Sequence, residues 1–295
     1  MKVTKCVLFG LSVSSAVAAS LDLRLISYNI RLDEDNLEDG ERPWPERLPL
    51  VASQLNRQID ESDNLLMCLQ EGLRPQLQDL QQWFSGPWWD FLGWGRNGGR
   101  SGEYSSIIYQ KSKWEVTNEN TYWFTPGLWK GENTPGAKGW DATHPRIMNV
   151  ARLKHKQTGA SVVYICTHLE YAGKVAARES AKLVAEYANK WSEGGKYPVF
   201  VGGDLNHQPG SEPYNNIAAR LSDAREVIPP EHHSGFSKTY TGFTSDGADD
   251  ELIDYIFVRD KDSVELVDYD VLNNKPGRTW ISDHRPVVVN VKVPH

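Results

Sequence analysis

Polar side chains that could bind a metal ion or move a proton stand at the ends of four apolar runs in the sequence. The residues are Asn29, Glu71, His168, Asp204 and Asn206. Because Asp204 and Asn206 are separated by one residue, an extended chain would direct both side chains to one face. Carboxylates and amides are ligands that Mg²⁺ or Mn²⁺ prefers, whereas Zn²⁺ would favour cysteine or clustered histidine. A carboxylate beside water can also act as a general base, and an imidazolium can stabilise developing negative charge.

Two more groups of the same kind occur late in the chain. Asp254 directly precedes the apolar run 255–258, and the pair Asp283-His284 comes just before the run 286–293. Any one of these residues alone is explained by a turn, a solvated carboxylate or a hydrogen-bonded core histidine. Polar residues at six strand ends in one chain instead favour a site, because loops on a rigid frame commonly carry binding and catalytic residues.

The elements that must position these residues are short strands with helices between them. Runs rich in Val, Ile, Leu and Tyr predict strands at residues 23–30, 65–69, 105–109, 147–153, 161–166, 199–202, 255–258 and 286–293. Helical periodicity and capping signals predict helices at residues 45–57, 174–191 and 211–221. We therefore predict one domain of the α/β class, in which two packed sheets are flanked by outer helices.

Composition and charge narrow the class of protein. The chain has 295 residues, of which 39% are hydrophobic and 11% aromatic, so it has enough apolar surface for one large core. Its formal net charge is −7 at pH 7, and it has no dense run of Lys or Arg. Non-specific binding of long nucleic acid depends on positive side chains that neutralise phosphates. That function is disfavoured, while a local phosphate pocket or a short nucleic acid is compatible with the charge.

The N-terminus has the pattern of a secretory signal peptide, which we assign to residues 1–19. Two lysines precede an apolar stretch that ends in Ala16-Val17-Ala18, an A-x-A cleavage pattern. We expect a mature extracellular domain at residues 20–295 without a transmembrane segment, because the apolar stretch is too short to span a bilayer. Cys68 and Cys166 lie in apolar runs, where buried free thiols are the ordinary expectation and one disulfide is the alternative in an oxidising compartment.

Tryptophans are concentrated in the middle of the chain. They are Trp83, Trp88, Trp89, Trp94, Trp114, Trp123, Trp129 and Trp140. One interpretation is a wall on which a base or a sugar ring stacks. The other is that large side chains fix loops over the core. The stretch 123–140 is also rich in Gly and Pro, which favours a loop that faces the substrate.

The ordered motifs resemble those of the endonuclease/exonuclease/phosphatase superfamily, a group of metal-dependent phosphoesterases that includes deoxyribonucleases, sphingomyelinases and deadenylases. The motifs are Tyr28-Asn29, Gln70-Glu71, Thr167-His168-Leu169, Gly203-Asp204-Leu205-Asn206, Ile253-Asp254-Tyr255 and Ser282-Asp283-His284. They follow the family order and span nearly the whole mature chain. The resemblance implies a four-layered α/β sandwich of two packed, largely antiparallel sheets with outer helices. One departure is Arg31, which stands where some nuclease members have an Asp.

The resemblance also implies which residues hold the metal ion and activate water. Glu71, Asn29 and Asp283 would hold Mg²⁺ or Mn²⁺, with Glu71 as the principal ligand and Asn29 also beside the phosphate. Asp204 would orient or deprotonate the attacking water. Asn206 would hold phosphate oxygens.

The remaining residues would act on the phosphate or support those that do. By resemblance, His168 and His284 would contact the phosphate and stabilise the transition state. Asp283 would complete the network of metal and histidine, and Asp254 would support it. Tyr104 and Arg146 would face the phosphate as substrate-binding residues, with a turn aromatic and a strand-edge charge as the alternatives.

The function that follows is a secreted, divalent-metal-dependent phosphoesterase that cleaves phosphodiester bonds of a small or sugar-containing molecule with activated water. A nuclease or a deadenylase-like 3′–5′ exonuclease is the second hypothesis, because one fold supports many substrates. The third is a non-catalytic module that binds a glycan or a lipid head group. The presence of Glu71 and of the Asp283-His284 pair argues against this third hypothesis. We expect no protein partner.

Overall fold

Most strands and helices lie where the apolar runs predict them. The computed structural model describes residues 19–244, 247 and 250–295. Within these residues the strands are β1 (Ser20–Asn29), β2 (Leu65–Gln70), β3 (Trp89–Leu92), β4 (Ser105–Gln110), β5 (Trp114–Trp123), β6 (Ile147–His155), β7 (Ser161–His168), β8 (Val199–Asp204), β9 (Ser222–Asp223), β10 (His233–Gly235), β11 (Asp254–Val258), β12 (Glu265–Val271) and β13 (Val287–Pro294). The α-helices of the same residues are α1 (Trp44–Asp60), α2 (Arg74–Trp83), α3 (Lys174–Trp191), α4 (Glu212–Ala218) and α5 (Ala224–Val227). Helix α3 has the bounds that its periodicity predicts. The sequence patterns missed two helices and five strands of the described residues, which are α2, α5, β3, β5, β9, β10 and β12.

The strands form two mixed sheets that are largely antiparallel. In the described residues one sheet has the order β10-β12-β13-β1-β2-β4-β3 and the other has the order β5-β6-β7-β8-β11-β9. Strand β1 is parallel to β2, and β7 is parallel to β8. Parallel neighbours present their carboxyl ends at the same edge of a sheet, which places the polar residues that follow them side by side.

The apolar residues separate into three buried layers, as a sandwich of two sheets requires. Alternate residues of the strands, among them Leu25 and Phe200, fill the space between the two sheets. On the outer face of the first sheet, Ile26 packs with Val51 of α1. On the outer face of the second, Val201 packs with Val184 of α3. The order helix, sheet, sheet, helix confirms the predicted four-layered α/β sandwich.

The N-terminal prediction lies almost wholly outside the described residues. Of the signal peptide assigned to residues 1–19, only Ala19 is described, directly before β1. None of the helices in the described part of the chain combines the length and the apolar character that a bilayer span needs.

The two cysteines that follow residue 19 form a disulfide, so the expectation of free thiols was wrong. Cys68 of β2 and Cys166 of β7 are fully buried between the two sheets and are bonded to each other across a sequence separation of 98 residues. Both side chains point to the inner face of their own sheet, and the sandwich brings those faces together. The bond therefore ties the central strands of the two sheets to each other.

Removing this disulfide should lower the free energy of unfolding substantially. For the variant Cys68→Ala/Cys166→Ala we expect a loss of about 3–5 kcal/mol, because the bond closes a long loop and restricts the unfolded chain. Urea unfolding of the oxidised wild type and of the variant measures the difference. Wild-type protein unfolded in the presence of a reductant should match the variant. Equal midpoints for the oxidised wild type and the variant would show that the bond does not stabilise the fold.

Candidate active site

Strand register brings the predicted site residues to one edge of both sheets. Asn29, the last residue of β1, is paired with Gln70 of β2, so Glu71 comes next at the same edge. In the other sheet, Asp204 at the end of β8 is paired with His168 of β7 on one side and with Asp254 of β11 on the other. The ends of five strands thus supply a single cluster of polar side chains.

Asn29 joins the two sheets at the centre of this cluster. Its amide nitrogen Nδ2 donates to Oε1 of Glu71 at 2.9 Å and to Oδ2 of Asp204 at 3.1 Å. The same nitrogen lies 3.4 Å from Nε2 of His284. The side-chain oxygen accepts a hydrogen bond from the backbone N–H of Arg31. Because the residue is fully buried, these contacts fix the relative positions of the two carboxylates.

Asp204 has the properties of a general base at neutral pH. Burial raises its pKa to about 7, an effect that the negative charge of Asp254 increases and the positive charge of His284 opposes. One carboxylate oxygen accepts from the backbone N–H of Asn206 at 2.8 Å. The other lies 3.5 Å from Nε2 of His168 and 3.6 Å from Nε2 of His284. A pKa near the working pH favours proton transfer in both directions.

His284 and Asp254 form a buried pair beside Asp204. Nδ1 of His284 is 2.8 Å from Oδ2 of Asp254. Burial by itself lowers the pKa of His284, but the charges of Asp254, Asp204 and Asp283 outweigh burial and raise the pKa well above its usual value. The ring is therefore an imidazolium at neutral pH. Oδ1 of Asp254 makes no hydrogen bond to any described residue.

His168 and Asn206 stand next to Asp204 on the opposite side. Asn206 adopts a positive φ of 57°, and its side-chain nitrogen donates to the carbonyl oxygen of Leu169 and lies 2.9 Å from Nε2 of His168. Burial lowers the pKa of His168 well below its usual value, and the positive charges of Arg146 and Arg96 add to this effect. His168 is therefore neutral at neutral pH and acts through hydrogen bonds, unlike His284.

The donor set around Glu71 suits a hard divalent cation. Glu71 takes a left-handed backbone conformation with φ of 64°, which turns its carboxylate into the site directly after β2. Burial raises the pKa of Glu71, but the hydrogen bond from Asn29 and the charges of His284 and Arg31 hold the pKa below its usual value. Burial, together with the charge of Glu71, raises the pKa of Asp283 to about 6 against the opposing charge of His284. The carboxylates of half-buried Glu71 and buried Asp283 fit Mg²⁺ or Mn²⁺, whereas Asn29 turns its amide nitrogen towards Glu71 and its oxygen towards the N–H of Arg31.

A second group of residues could also hold a metal ion. One ligand atom from each of Asp204, Asp254 and His284 lies within 4.8 Å of the others, and all three residues are buried. Their mutual contacts are also explained without a metal ion, by a hydrogen bond from protonated Nδ1 of His284 to the carboxylate of Asp254. The two positions can be separated by measuring metal affinity in variants.

Arg31 shows what replaces the Asp of some nuclease members. Its guanidinium pairs with Glu34 at 2.6 Å, with Glu38 at 3.2 Å and with Glu41 at 3.1 Å. Its positive charge lowers the pKa of the nearby Glu71. At this position the chain therefore has a cation in place of a further carboxylate ligand.

Arg146 is buried beside His168, and the structure places a second arginine next to it. Arg146 and Arg96 line a small cavity together with His168, Tyr104 and Glu103. Tyr104 itself is buried, and its hydroxyl lies 3.5 Å from the carbonyl oxygen of Gly99. The arginines give this side of the site positive charge, which is the charge that a phosphate requires.

The sequence analysis did not identify three residues that shape the site, which are Arg96, Glu103 and Glu170. Glu103 forms an ion pair with Arg96. Glu170 accepts from Nε of Arg146 at 3.3 Å and from the hydroxyl of Thr143. A signal existed for Glu170, because it comes two residues after His168. None existed for Arg96, which lies in a loop without a periodic pattern.

Comparison with known proteins defines the class of protein to which this fold and site belong. Residues 26–284 match the Endonuclease/Exonuclease/phosphatase family. The chain is therefore a member of that family, and the resemblance of its motifs is confirmed. Members of this family are typically metal-dependent hydrolases of phosphoesters. No curated protein sequence matches the chain.

Several solved structures share the fold. An endonuclease/exonuclease/phosphatase from Bacteroides vulgatus is 30% identical, with a TM-score of 0.80 over 92% of this chain and 99% of that chain. The mannosyl-6-phosphatase Bt3783 of Bacteroides thetaiotaomicron is 28% identical, with a TM-score of 0.75 over 91% of this chain and 99% of that chain. The catalytic domain of human nocturnin, solved with a bound sulfate anion, is 18% identical, with a TM-score of 0.63 over 92% and 93%. The last likeness concerns the fold alone.

Proposed function

We propose that the protein is a divalent-metal-dependent phosphoesterase that hydrolyses a phosphate ester of a small or sugar-containing molecule with activated water. The observation that carries the proposal is the single buried cluster in which Asp204 lies between two histidines and is joined through Asn29 to Glu71. A general base, a cation and a carboxylate site for a metal ion are the groups that hydrolysis of an anionic ester needs.

Each residue of the cluster has a separate role in the proposed hydrolysis. Asp204 accepts a proton from the attacking water through its carboxylate. His284, protonated and held by Asp254, donates a hydrogen bond to the oxygen on which charge develops. Asn206, neutral His168 and Arg146 orient the phosphoryl oxygens, and Tyr104 packs behind them. A divalent cation held by Glu71 and Asp283, and by Asn29 once its amide oxygen turns towards them, would supply neutralisation of phosphate charge when bound.

The sugar part of the proposed substrate rests on two observations. The similar protein from Bacteroides thetaiotaomicron is a mannosyl-6-phosphatase. The net charge of −7 is unfavourable for a long polyanion. A phosphodiester is the substrate that the sequence favours, and that similar protein adds a sugar phosphate monoester as the second test compound.

Hydrolysis assays with and without metal test this proposal. We expect the protein with Mg²⁺ or Mn²⁺ to hydrolyse bis(p-nitrophenyl) phosphate or mannose 6-phosphate, and we expect EDTA to abolish the activity. Single-stranded RNA and DNA are the comparison substrates for a nuclease or an exonuclease. Faster turnover of RNA or DNA than of both small esters would favour the nuclease hypothesis, and no metal-dependent turnover of any substrate would contradict the proposal.

We further propose that the protein is exported after cleavage near Ala19. The charged and apolar pattern of residues 1–19 supports this proposal, as does the Cys68–Cys166 disulfide, since structural disulfides persist in oxidising compartments. Expression of the full chain in a host that recognises its signal should release a protein that begins between Ala19 and Leu21. N-terminal sequencing of the medium fraction measures this. Retention of the intact chain inside the cells would contradict export.

A further inference from the structure

A groove of about 400 Å³ lies between an edge strand of each sheet, outside the cluster described above. Its walls come from β3, from β5 and from the loop at residues 133–135, and we call it the flank groove. Volumes of this size are typical of small-molecule sites. None of the residues proposed to act on the phosphate lines it.

Hydrogen bonds hold the walls of the flank groove in place. The backbone N–H of Trp94 donates to the hydroxyl of Thr121, and that hydroxyl donates to Asn149. Asn133 donates to the carbonyl oxygen of Thr121 and accepts from the backbone N–H of Trp123. Because two loops are tied to β5 in this way, the groove is preformed, and little ordering would be needed on binding.

The groove presents an exposed ring beside a free carboxylate. Trp94 is 51% exposed, and its ring meets Trp123 edge-on with centroids 6.0 Å apart. The side chain of Glu119 lies on the same face of β5 as Thr121 and makes no hydrogen bond or ion pair with any described residue. A flat apolar face next to a free carboxylate matches a pyranose ring, which has an apolar C–H face and hydroxyl groups around its edge.

The charge of the groove argues against a nucleotide. None of the described residues that line it is Lys or Arg, and Glu119 is negative. Partial burial raises the pKa of Glu119, and the negative charge of nearby Asp90 adds to this effect. A phosphorylated ligand would meet repulsion here, whereas a neutral sugar would not. The ligand that fits is therefore a neutral carbohydrate.

The flank groove also lies close to the proposed phosphate site. Trp123 is paired with Ile147 across β5 and β6, and Ile147 lines the small cavity that contains Arg146 and His168. The groove is lined by Thr121 of β5 and Asn149 of β6. These two residues are paired with each other, two positions from the Trp123–Ile147 pair. The indole nitrogen of Trp123 donates to the carbonyl oxygen of Arg96.

We infer that the flank groove is a carbohydrate subsite in which Trp94 stacks on a pyranose ring and Glu119 binds its hydroxyl groups. The inference deepens the proposed function, because the groove would hold a sugar unit of the ester whose phosphate lies against Arg146. Binding of the sugar itself needs neither the metal ion nor hydrolysis.

Titration calorimetry in EDTA with mannobiose, cellobiose and maltose tests the subsite. We expect the wild type to bind at least one disaccharide, and we expect Trp94→Ala to weaken that binding about tenfold. Trp83→Ala is the matched control, because Trp83 is also 51% exposed but lies at the end of α2, and it should bind like the wild type. Glu119→Gln should weaken binding without removing an aromatic ring, which guards against a folding defect in Trp94→Ala.

Three results would overturn the inference. They are no binding of any of the three disaccharides, equal loss in Trp94→Ala and Trp83→Ala, or displacement of the disaccharide by the dinucleotide ApA. Hydrolysis of bis(p-nitrophenyl) phosphate distinguishes failure of the carbohydrate subsite from failure of the proposed function. Metal-dependent hydrolysis of that ester by a wild type that binds no disaccharide would contradict the inference alone and leave the proposed function standing.

Discussion

Replacing Asp204 with Asn should lower kcat for phosphoester hydrolysis by about 10³-fold or more, because a positioned general base contributes roughly 10²–10⁴ and Asp204 also orients its neighbours. Asparagine has nearly the same size and retains an oxygen for the N–H of Asn206, so the fold should persist. The variant cannot accept a proton from water. Steady-state kinetics with saturating metal measures the loss.

Asp223→Asn is the matched control for this variant. Asp223 is also a buried carboxyl in the same sheet, and burial raises its pKa to about 6. It accepts hydrogen bonds from the hydroxyl of Tyr214 and the backbone N–H of Arg225, away from the strand ends that carry the cluster. We expect this control to retain kcat. If both variants lost activity equally, or if Asp204→Asn kept more than one tenth of wild-type kcat, the assigned role of Asp204 would be wrong.

The sequence identifies the strand-end residues because their positions follow from local patterns. An apolar run that stops at Asn29 or Asp204 specifies both the strand and the edge at which its polar residue emerges. Parallel pairing of β1 with β2 and of β7 with β8 aligns the strand ends within each sheet. Packing of the two sheets then places Asn29 within hydrogen-bond distance of Asp204. The role of each residue does not follow from these patterns and was implied by the family resemblance.

Two of the strands that escaped prediction, β3 and β5, lie at the edges of the sheets. Strand β5 carries a run of solvated polar residues between Trp114 and Trp123, and β3 has only four residues. Edge strands are often short or polar, so they lack the apolar alternation on which sequence patterns depend. The flank groove is built from these same edges, and therefore the sequence suggested stacking tryptophans without showing that Trp94 is exposed and Trp123 buried.

Contacts between distant segments were equally out of reach. The Cys68–Cys166 disulfide depends on which faces of two sheets meet, a property that no local pattern encodes. The ion pairs of Arg96 with Glu103 and of Arg146 with Glu170 depend on loop conformation. Burial lowers the pKa of His168 and these arginines add to that effect, whereas the charges of Asp254, Asp204 and Asp283 raise the pKa of His284.

Replacing Glu71 with Gln should weaken metal binding more than any other single change to the cluster. The substitution removes the charge of one of two neighbouring carboxylates but keeps the oxygen that accepts from Asn29. We expect the Kd for Mn²⁺ to rise by at least about 10–100-fold. The loss of a residue that only hydrogen-bonds to a metal ligand has an effect of that size, and Glu71 is itself proposed as a ligand. Titration calorimetry with Mn²⁺ measures the affinity, and hydrolysis should fall in parallel.

Asp254→Asn distinguishes the two positions at which the cluster could hold a metal ion. If Glu71 and Asp283 bind the ion, this variant should keep Mn²⁺ affinity within about threefold of the wild type, since no charge on those carboxylates is lost. Its kcat should still fall by about 10²-fold or more, because the carboxylate that keeps His284 protonated is gone. Loss of Mn²⁺ binding in Asp254→Asn with retention in Glu71→Gln would instead place the ion among Asp204, Asp254 and His284. In that case His284 would be a neutral ligand, and the hydrogen bond to the developing charge would have to come from His168 or Arg146.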